Sequence, residues 1–441
     1  MADLPLVRHA AHAPFAYRDA RLVRSGEFLA DVAQLAARLP ERRYVVNLCA
    51  DRLRFAAGFA ASLLRGQVSL MPPSHTADVL ERLLREYPDL YCLADGAVEH
   101  PGLETLQYPS GTARGHWPDA IPALPEERVA AIVFTSGSTG EPLPHPKLWG
   151  DLVASAIAEL ECLGVRKLPG LSLLGTVPPQ HMYGLESTVL MALQGGLALH
   201  SGRPFFPADI CAELEALPRP RGLVTTPVHL RALLAESGAL PPLDFLLCAT
   251  AALSPQLAAH AEARFGAPLH EIYGCTETGQ LASRRPSVTP EWQLFPGMAM
   301  RQDEKGTWVR GGHARTEVLL SDVIELRGPG RFVLHGRTAD LVNVAGKRTS
   351  LASLNHHLGS IPGVVDGAFV VPSEDAGAIT RLAAFVVAPG LSSESILSAL
   401  RQRIDPAFLP RPLCMVDALP RNETGKLTRA RLDALLAKAD Q

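Results

Sequence analysis

The sequence contains little that would place it among membrane, nucleic-acid-binding or disulfide-rich proteins. Its 441 residues include 42 Lys and Arg against 45 Asp and Glu, without a long basic run, so it lacks the concentrated positive charge that binds a phosphate backbone. No stretch reaches the roughly 18 consecutive apolar residues of a membrane span, and the N-terminus lacks the apolar core of a signal peptide. We therefore expect a cytoplasmic protein with no membrane span and no nucleic acid partner.

Cysteine is scarce, and aromatic residues make up only 6% of the chain. The seven cysteines are scattered without a CxxC pair, in a chain too long to need disulfides for stability, which favours reduced thiols. The hydrophobic content of 47% is that of a globular protein. A chain of this length allows about three domains, or one large domain with a smaller one.

Apolar runs and amphipathic stretches alternate over the first 265 residues. The run YVVNL predicts a buried strand between helices at FLADVAQLAARL and RFAAGFAASLLRG, and the same alternation recurs from VAAIVFTS to SPQLAAHAEARF. This pattern predicts an α/β fold with layered, mostly parallel sheets. After about Phe295, short charged segments and Gly-containing turns predict a small antiparallel unit, and a smaller α+β domain is expected from Leu341 onward.

Two segments are candidates for nucleotide binding. The first follows the apolar run VAAIV and contains Thr135, Ser136, Gly137, Ser138, Thr139 and Gly140. Glycine allows close approach, and backbone N–H groups with short hydroxyl side chains can cradle a polyphosphate, although the Walker pattern is absent and a flexible loop is the alternative. The second, Tyr273–Gly279, supplies a ring, a hydroxyl and a carboxylate that suit a purine, a phosphate and Mg²⁺.

Two further clusters follow in order along the chain. Asp322 lies in SDVIEL, and Arg337 and Arg348 flank NVAGK; Lys426 stands near the C-terminus in NETGKLTR. Together the four clusters resemble the adenylate-forming superfamily of acyl-CoA synthetases, adenylation domains and luciferases, over about residues 40 to 440. The resemblance implies that ATP and a carboxylic acid form an acyl-AMP with release of pyrophosphate, and that the acyl group is then transferred to a thiol.

The resemblance also implies roles for individual residues. Residues 135–140 would cradle the β- and γ-phosphates, although Leu143 stands where the family usually has lysine and only Lys147 follows. By the same match, Tyr273 would pack on the adenine beside Gly274, Thr276 would contact the α-phosphate and Glu277 would ligate Mg²⁺. Asp322 would bind the ribose, and Arg337 and Arg348 would contact phosphate or ribose. Lys426 would act in catalysis between the carboxylate and the α-phosphate.

The resemblance implies a domain rotation between the two half-reactions. The expected domains are residues 1–336 for ATP and acid binding, a hinge at 337–340, and a mobile C-terminal lid at 341–441 that carries Lys426. The family usually has Asp or Lys as the pivot, whereas Ala339 stands at that position here and Asp340 follows it. The pivot residue is therefore open between these two.

The acid pocket is expected around the segment PPQHMYG and three others. Adenylation domains for α-amino acids usually have an Asp in this segment to hold the substrate ammonium, and PPQHMYGLES contains none, so the resemblance disfavours α-amino acids. His181 is expected beside the carboxylate of the acid. The pocket residues expected from the resemblance are His181, Met182, Tyr183, Gly184, Thr226, His229, Thr250, Ala251 and Gly279; for the two histidines a structural role is the alternative.

The short chain and the segments FTSGSTGEPLPHPK and ATAALS resemble the aryl-acid ligases of aryl polyene and xanthomonadin pigment pathways. This implies activation of an aromatic acid, 4-hydroxybenzoate foremost, and its transfer to the phosphopantetheine thiol of an acyl carrier protein. Two alternatives remain open: a CoA synthetase that uses free coenzyme A with a fatty or aryl acid, and a catalytically silent nucleotide-binding homologue.

Overall fold

The structure is a computed structural model. It describes residues 2–98, 100, 102–109, 120–136, 142–251, 253–337, 341–344, 347–371, 382–421, 427, 431–432 and 434–436. Within these ranges, no helix is both long and apolar enough to cross a membrane.

The helices alternate with strands through the first part of the chain, as the apolar pattern predicts. Their bounds are α1 Ser25–Ala36, α2 Arg52–Leu64, α3 Ala77–Glu86, α4 Trp149–Cys162, α5 Met182–Gly184, α6 Met191–Gly195, α7 Pro207–Ala216, α8 Pro227–Ala235, α9 Pro255–Phe265, α10 Leu351–Gly359 and α11 Ser393–Arg401. A π-helical segment, Leu185–Leu190, joins α5 to α6, and 3₁₀ turns lie at Val165–Lys167 and Pro406–Phe408.

The strands are short and numerous. Their bounds are β1 Asp3–Pro5, β2 Pro14–Arg18, β3 Arg21–Arg24, β4 Tyr44–Asn47, β5 Val68–Met71, β6 Leu90–Ala94, β7 Thr105–Gln107, β8 Ala123–Pro125, β9 Val129–Ser136, β10 Pro142–Leu148, β11 Ser172–Gly175, β12 Ala198–His200, β13 Arg221–Thr225, β14 Phe245–Cys248, β15 Leu269–Cys275, β16 Gly279–Arg284, β17 Trp292–Leu294, β18 Met298–Asp303, β19 Gly306–Gly311, β20 Ala314–Leu319, β21 Asp322–Gly328, β22 Arg331–Arg337, β23 Leu341–Val344, β24 Lys347–Ser350, β25 Asp366–Val370, β26 Ala383–Val387 and β27 Leu413–Met415.

The largest sheet has 11 strands in the order β21-β22-β17-β16-β15-β14-β13-β11-β12-β2-β3. Its centre, from β2 through β12, β11, β13 and β14 to β15, is parallel, and its two ends are antiparallel. A second sheet has six strands in the order β10-β9-β5-β4-β6-β7 and is parallel except for the β9–β10 hairpin. The expected α/β fold with layered, mostly parallel sheets is confirmed.

Helix α2 lies between the two large sheets. It contacts β4 and β5 of one sheet and β12 of the other, and its sequence RFAAGFAASLL is apolar on all sides because every side faces protein. A Cβ at Gly58 would approach Asn47 Nδ2 and Leu93 Cδ2 to 2.6 Å, so the glycine permits close packing of the helix on the six-stranded sheet. The apolar core between these layers is the largest of the structure.

The antiparallel strands after Phe295 do not all form the small separate unit that the sequence predicts. Only β18, β19 and β20 form a three-stranded sheet of their own, whereas β21 and β22 join the largest sheet through β17. The predicted run TEVLLSDVIELRG divides at Leu320 into β20 and β21. This division places Asp322 at the first position of a strand of the main sheet.

The chain from Leu341 onward forms smaller elements with a separate apolar core. The hairpin β23–β24 and the three-stranded sheet β25-β26-β27 are accompanied by α10 and α11. Leu354, Phe369 and Ile396 belong to the core of this part. Ser392 caps α11 by accepting a hydrogen bond from the Ser395 N–H.

Candidate active site

The carboxyl ends of the central parallel strands meet at one edge of the largest sheet. Thr176, Thr226 and Thr250 lie one or two residues beyond the ends of β11, β13 and β14, and Tyr273 lies near the end of β15. In open α/β sheets, ligands bind in the crevice outside such strand ends. The predicted nucleotide site and the predicted acid site therefore lie at the same edge of the sheet.

The structure brings together the residues predicted for adenine and ribose. The Tyr273 hydroxyl donates a hydrogen bond to Asp322 Oδ2 at 2.7 Å, although the two residues are 49 positions apart. The Tyr273 ring packs against Trp292 and Phe332, with both ring centroids at 5.7 Å, which fixes the direction of its hydroxyl. The bond to a carboxylate is charge-assisted and holds Asp322 in one orientation.

The predicted Glu277 turn closes the hairpin between β15 and β16. Cys275 pairs with Gly279, and a bulge at Tyr273–Gly274 shifts the register. A Cβ at Gly274 would overlap the carbonyl oxygen of Gly279, so a larger residue does not fit there. Cys275 and Thr278 are in side-chain contact, with Sγ and Oγ1 3.0 Å apart, and the Glu277 side chain is exposed at the tip, while that of Thr276 is half-buried.

The two predicted arginines are described only by their backbone. Arg337 is the β22 residue directly opposite Asp322 on β21, so its backbone lies beside the predicted ribose site. Arg348 pairs with Asn343 in the β23–β24 hairpin. This hairpin contacts β22 through Ser350, whose hydroxyl donates to the His335 carbonyl oxygen at 2.6 Å.

The predicted phosphate loop connects β9 to β10. Thr135 lies near the end of β9 and its Oγ1 is 3.0 Å from His145 Nε2 on β10. Ser136 ends the strand, and its side chain lies outside the described residues, as do Gly137, Ser138, Thr139 and Gly140. Leu143, at the position where the family usually has lysine, is 56% exposed.

Lys147 lies further along β10 and is buried. Its Nζ donates a hydrogen bond to the backbone carbonyl oxygen of Glu277 at 3.0 Å. Burial lowers the pKa of Lys147, while the nearby carboxylates of Glu186 and Glu277 oppose this shift. The lysine therefore contacts the predicted magnesium turn from its protein side.

The segment PPQHMYG, which is expected to lie beside the carboxylate of the substrate acid, forms a short helical turn. His181 precedes α5, and its Nδ1 accepts a hydrogen bond from the Tyr183 N–H at 3.2 Å, so the ring caps this turn. Met182 and Tyr183 are buried, and the Tyr183 hydroxyl reaches the carbonyl oxygens of Thr225 and Leu247 at 3.1 and 3.2 Å. A Cβ at Gly184 would overlap the Pro178 carbonyl oxygen, so this turn requires glycine.

Three hydroxyl-bearing residues surround His229 at the strand ends. Its Nδ1 lies 3.2 Å from Thr176 Oγ1 and 3.1 Å from Thr226 Oγ1, and the Thr176 hydroxyl lies 3.0 Å from that of Thr225. Burial lowers the pKa of His229, which favours the neutral ring. Its Nε2 is buried and has no hydrogen-bond partner among the described residues, and the Phe205 ring packs edge-on against it at 5.1 Å.

The remaining predicted pocket residues lie on neighbouring turns. Thr250 has a φ of 81°, an uncommon conformation for a β-branched residue and one that is found preferentially at ligand sites. Ala251 beside it is half-buried. Gly279 has a φ of 80°, and a Cβ there would lie 2.9 Å from Glu186 Oε1. Lys426 and the hinge residues 338–340 lie outside the described residues.

Sequence analysis missed a buried polar cluster behind the Glu277 hairpin. Glu186 accepts a hydrogen bond from Ser155 at 3.0 Å, and Gln280 donates one to Ser187 at 2.8 Å. Burial raises the pKa of Glu186 to about 7 and that of Glu159 to about 8. The signal in the sequence was the presence of acidic residues in two largely apolar helical stretches, two glutamates in AIAELEC and one in GLESTVL.

The chemistry of the site fits MgATP. Within the described residues, no group of three or more His, Cys, Asp or Glu side chains could hold a metal ion. Mg²⁺ is commonly bound by one or two carboxylates together with substrate phosphates, and the exposed Glu277 carboxylate meets this requirement. Glu277 lies at the exposed tip of the hairpin whose strand β15 carries Tyr273, the Tyr273 hydroxyl contacts Asp322, and Lys147 donates to the Glu277 carbonyl oxygen.

Comparisons with known proteins identify the family of the chain. The family described as AMP-binding enzyme matches residues 34–304, and the AMP-binding enzyme C-terminal domain matches residues 356–426. A 4-coumarate–CoA ligase of Rhodobacter capsulatus is 30% identical over 340 residues, which cover 75% of this chain and 84% of the relative. A 3-hydroxybenzoate–CoA/4-hydroxybenzoate–CoA ligase of Thauera aromatica is 24% identical, covering 72% and 68%.

The fold matches that of a solved structure over nearly the whole length of both chains. The crystal structure of ATP-bound MatB from Rhodopseudomonas palustris superposes with a TM-score of 0.81 at 18% identity, covering 98% of this chain and 97% of that one. The adenylate-forming enzyme fold, with a large α/β domain and a smaller C-terminal domain, is thereby confirmed. The chain belongs to the AMP-binding enzyme family and is a ligase of the adenylate-forming type.

Proposed function

We propose that the protein activates an aromatic carboxylic acid with ATP and transfers it to a phosphopantetheine thiol. The best candidate acid is 4-hydroxybenzoate, and the best candidate acceptor is an acyl carrier protein, as in pigment biosynthesis. The observation that carries the first half-reaction is the Tyr273–Asp322 hydrogen bond, which joins two predicted ATP residues on the same sheet edge as Glu277. The seven free cysteines suit a reducing, cytoplasmic setting.

The nucleotide roles proposed here come from the family resemblance, and the contact between Tyr273 and Asp322 supports them. Asp322 would accept both ribose hydroxyls, since a carboxylate has two oxygens that can take paired hydrogen bonds. Tyr273 and Gly274 would border the adenine, and Thr276 would contact the α-phosphate. Glu277 would hold Mg²⁺, which when bound neutralises phosphate charge during the transfer. Arg337, whose backbone lies opposite Asp322, and Arg348 are proposed to contact ribose or phosphate.

The proposed roles of the following residues rest on the sequence motifs alone. Residues 135–140 are proposed to cradle the β- and γ-phosphates through backbone N–H groups and hydroxyls. Lys426 is proposed to lie between the acid carboxylate and the α-phosphate, where an ammonium offsets the charge of both. His181 would orient the carboxylate. Lys426→Ala is therefore expected to stop adenylation and to affect thiol transfer from preformed adenylate much less.

The acid pocket is proposed at the carboxyl ends of β11, β13 and β14. Tyr183, Thr226 and His229 would form its walls together with the small residues of the 249–251 turn and Gly279. The nearest acidic residue of the Tyr183 segment, Glu186, is buried, accepts a bond from Ser155 and faces Lys147, so it is not available to a substrate ammonium. This favours an uncharged aromatic body, and the relatives that act on 4-coumarate and hydroxybenzoate support it.

Two half-reactions in one site require two arrangements of the C-terminal part. We propose domains at 1–336 and 341–441 with the pivot at 337–340. In the present arrangement Arg231 of α8 approaches Asp366 of β25 to 4.0 Å, and Arg421 binds the same carboxylate through two hydrogen bonds of 2.8 Å. Of these two ion pairs, only Arg231–Asp366 joins the two proposed domains, and a partly exposed ion pair of 4.0 Å is weak enough to break during a rotation.

A second candidate is transfer to free coenzyme A. The two curated relatives described above are named as CoA ligases, which favours this acceptor. The chemistry at the ATP site is the same in both cases, because only the carrier of the phosphopantetheine arm differs.

Pyrophosphate release with MgATP and a panel of acids tests the proposal. The panel contains 4-hydroxybenzoate, 3-hydroxybenzoate, benzoate, cinnamates, octanoate and palmitate. Selective turnover of a hydroxybenzoate is the expected result, and addition of a metal chelator should abolish it. Turnover with fatty acids alone contradicts the aromatic assignment, and no turnover with any acid contradicts the enzyme assignment. Loading of a carrier protein against formation of the CoA thioester then separates the two acceptors.

A further inference from the structure

The strand β10 and the Glu277 turn are connected by one buried cation. The Lys147 side chain is 7% exposed, and its Nζ donates to the Glu277 carbonyl oxygen at 3.0 Å. Glu277 thus presents its carboxylate to solvent while its peptide group is held from the protein side. Burying an ammonium is costly unless it is hydrogen-bonded and faces negative charge. An apolar residue would fill the same space at lower cost, which argues for a role of the charge.

The surroundings of Lys147 supply the opposing charge. The carboxyls whose charge acts on it belong to Glu186, Glu277 and Asp151. Glu186 is itself fixed by the Ser155 hydroxyl at 3.0 Å and lies against Gly279 at the far end of the Glu277 turn. The turn is therefore held at two points, by Lys147 at Glu277 and by the packing of Glu186 on Gly279.

Lys147 is not placed as a substitute for the usual lysine of the phosphate loop. It is four residues beyond Leu143 on the same strand face, a distance of about 13 Å along the strand. Its ammonium donates to a backbone oxygen of the β15–β16 turn.

We propose that Lys147 is a positioning residue that fixes the Glu277 peptide and thereby the direction in which the Glu277 carboxylate meets Mg²⁺. This inference rests on the proposed role of Glu277 as the magnesium ligand. Partners behind a metal ligand orient it, and their loss commonly lowers metal affinity or activity by about 10–100-fold.

Binding of ATP with and without Mg²⁺ tests this inference on the full chain. Lys147→Met keeps the apolar stem but removes the donor and the charge, and Lys305→Met, at an exposed turn, is the matched control. Calorimetric titration measures the affinity for MgATP and, in the presence of EDTA, for metal-free ATP. We expect Lys147→Met to lose about 10–100-fold in MgATP affinity and less than about twofold for metal-free ATP.

Three results would overturn the inference. Equal losses for MgATP and metal-free ATP would mean that Lys147 binds a phosphate directly. An affinity for MgATP equal to that of Lys305→Met would mean that the contact has no positioning role. If Lys147→Met does not fold, Lys147→Gln removes the charge and shortens the side chain, and a MgATP affinity equal to that of Lys305→Met in that variant also contradicts the inference. Because binding needs no acid substrate, failure of the proposed enzyme activity would leave this test intact.

Discussion

Tyr273→Phe isolates the hydroxyl that orients Asp322. The substitution retains the ring, which is 8% exposed and packed on Trp292 and Phe332, and removes only the 2.7 Å bond to Oδ2. A hydrogen bond to a charged group contributes about 1.5–3 kcal/mol. The bond is present before ATP binds, so its full energy does not contribute to ATP binding. Only the part that holds Asp322 in the orientation needed by the ribose should affect the affinity for ATP. We therefore expect the lower end, about a tenfold rise in KM for ATP, since 1.4 kcal/mol is a factor of ten.

The assay is pyrophosphate release at saturating acid with ATP varied. Tyr44→Phe is the matched control, because Tyr44 packs against Tyr87 in the six-stranded sheet, on a different sheet from Asp322. In an Asp322→Ala background, Tyr273→Phe should add little, since the two side chains act as one unit. An unchanged KM for ATP, or the same tenfold rise without Asp322, would refute the reasoning.

The remaining predictions concern stability. Gly184→Ala places a Cβ on the Pro178 carbonyl oxygen, so we expect a loss of about 3 kcal/mol and a clearly lower melting temperature, whereas Gly238→Ala, where no atom lies within 4 Å of the added Cβ, should melt close to the parent protein. Glu159 is fully buried with its pKa raised to about 8, and although Ser187 and Gln280 lie beside it, neither carboxylate oxygen has a well-formed hydrogen bond among the described residues. A carboxyl whose pKa is higher in the folded state than in the unfolded chain stays protonated in the fold at low pH. The free energy of unfolding is therefore highest below the pKa of the unfolded state and falls as the pH rises towards 8. Glu159→Gln should therefore flatten the fall in melting temperature between about pH 5 and pH 8, and an unchanged pH profile would contradict the burial argument.

Local patterns in the sequence were sufficient for the elements that position the site. The run VAAIVFTS became β9 with the expected bounds, and PVHLRALLAES and SPQLAAHAEARF became α8 and α9, because proline after a capping Thr or Ser begins a helix at a defined residue. The order of apolar runs also indicated the parallel sheet, since each strand was followed by a helix. Motifs were sufficient for the family, because their residue types reflect the chemistry of ATP rather than the packing of the chain.

Tertiary structure decided which distant residues meet. The sequence placed Tyr273 and Asp322 in separate motifs, but only strand pairing through β16, β17 and β22 brings hydroxyl and carboxylate to 2.7 Å. The antiparallel strands after Phe295 look alike in sequence, and their division between two sheets depends on which edge is free to pair. The sequence marked Lys147 only as the lysine that follows the phosphate loop and did not mark Glu186; the hydrogen-bond partner of each lies far along the chain. Periodicity records which face of an element is buried, whereas the partner of a buried charge is set only when the elements pack.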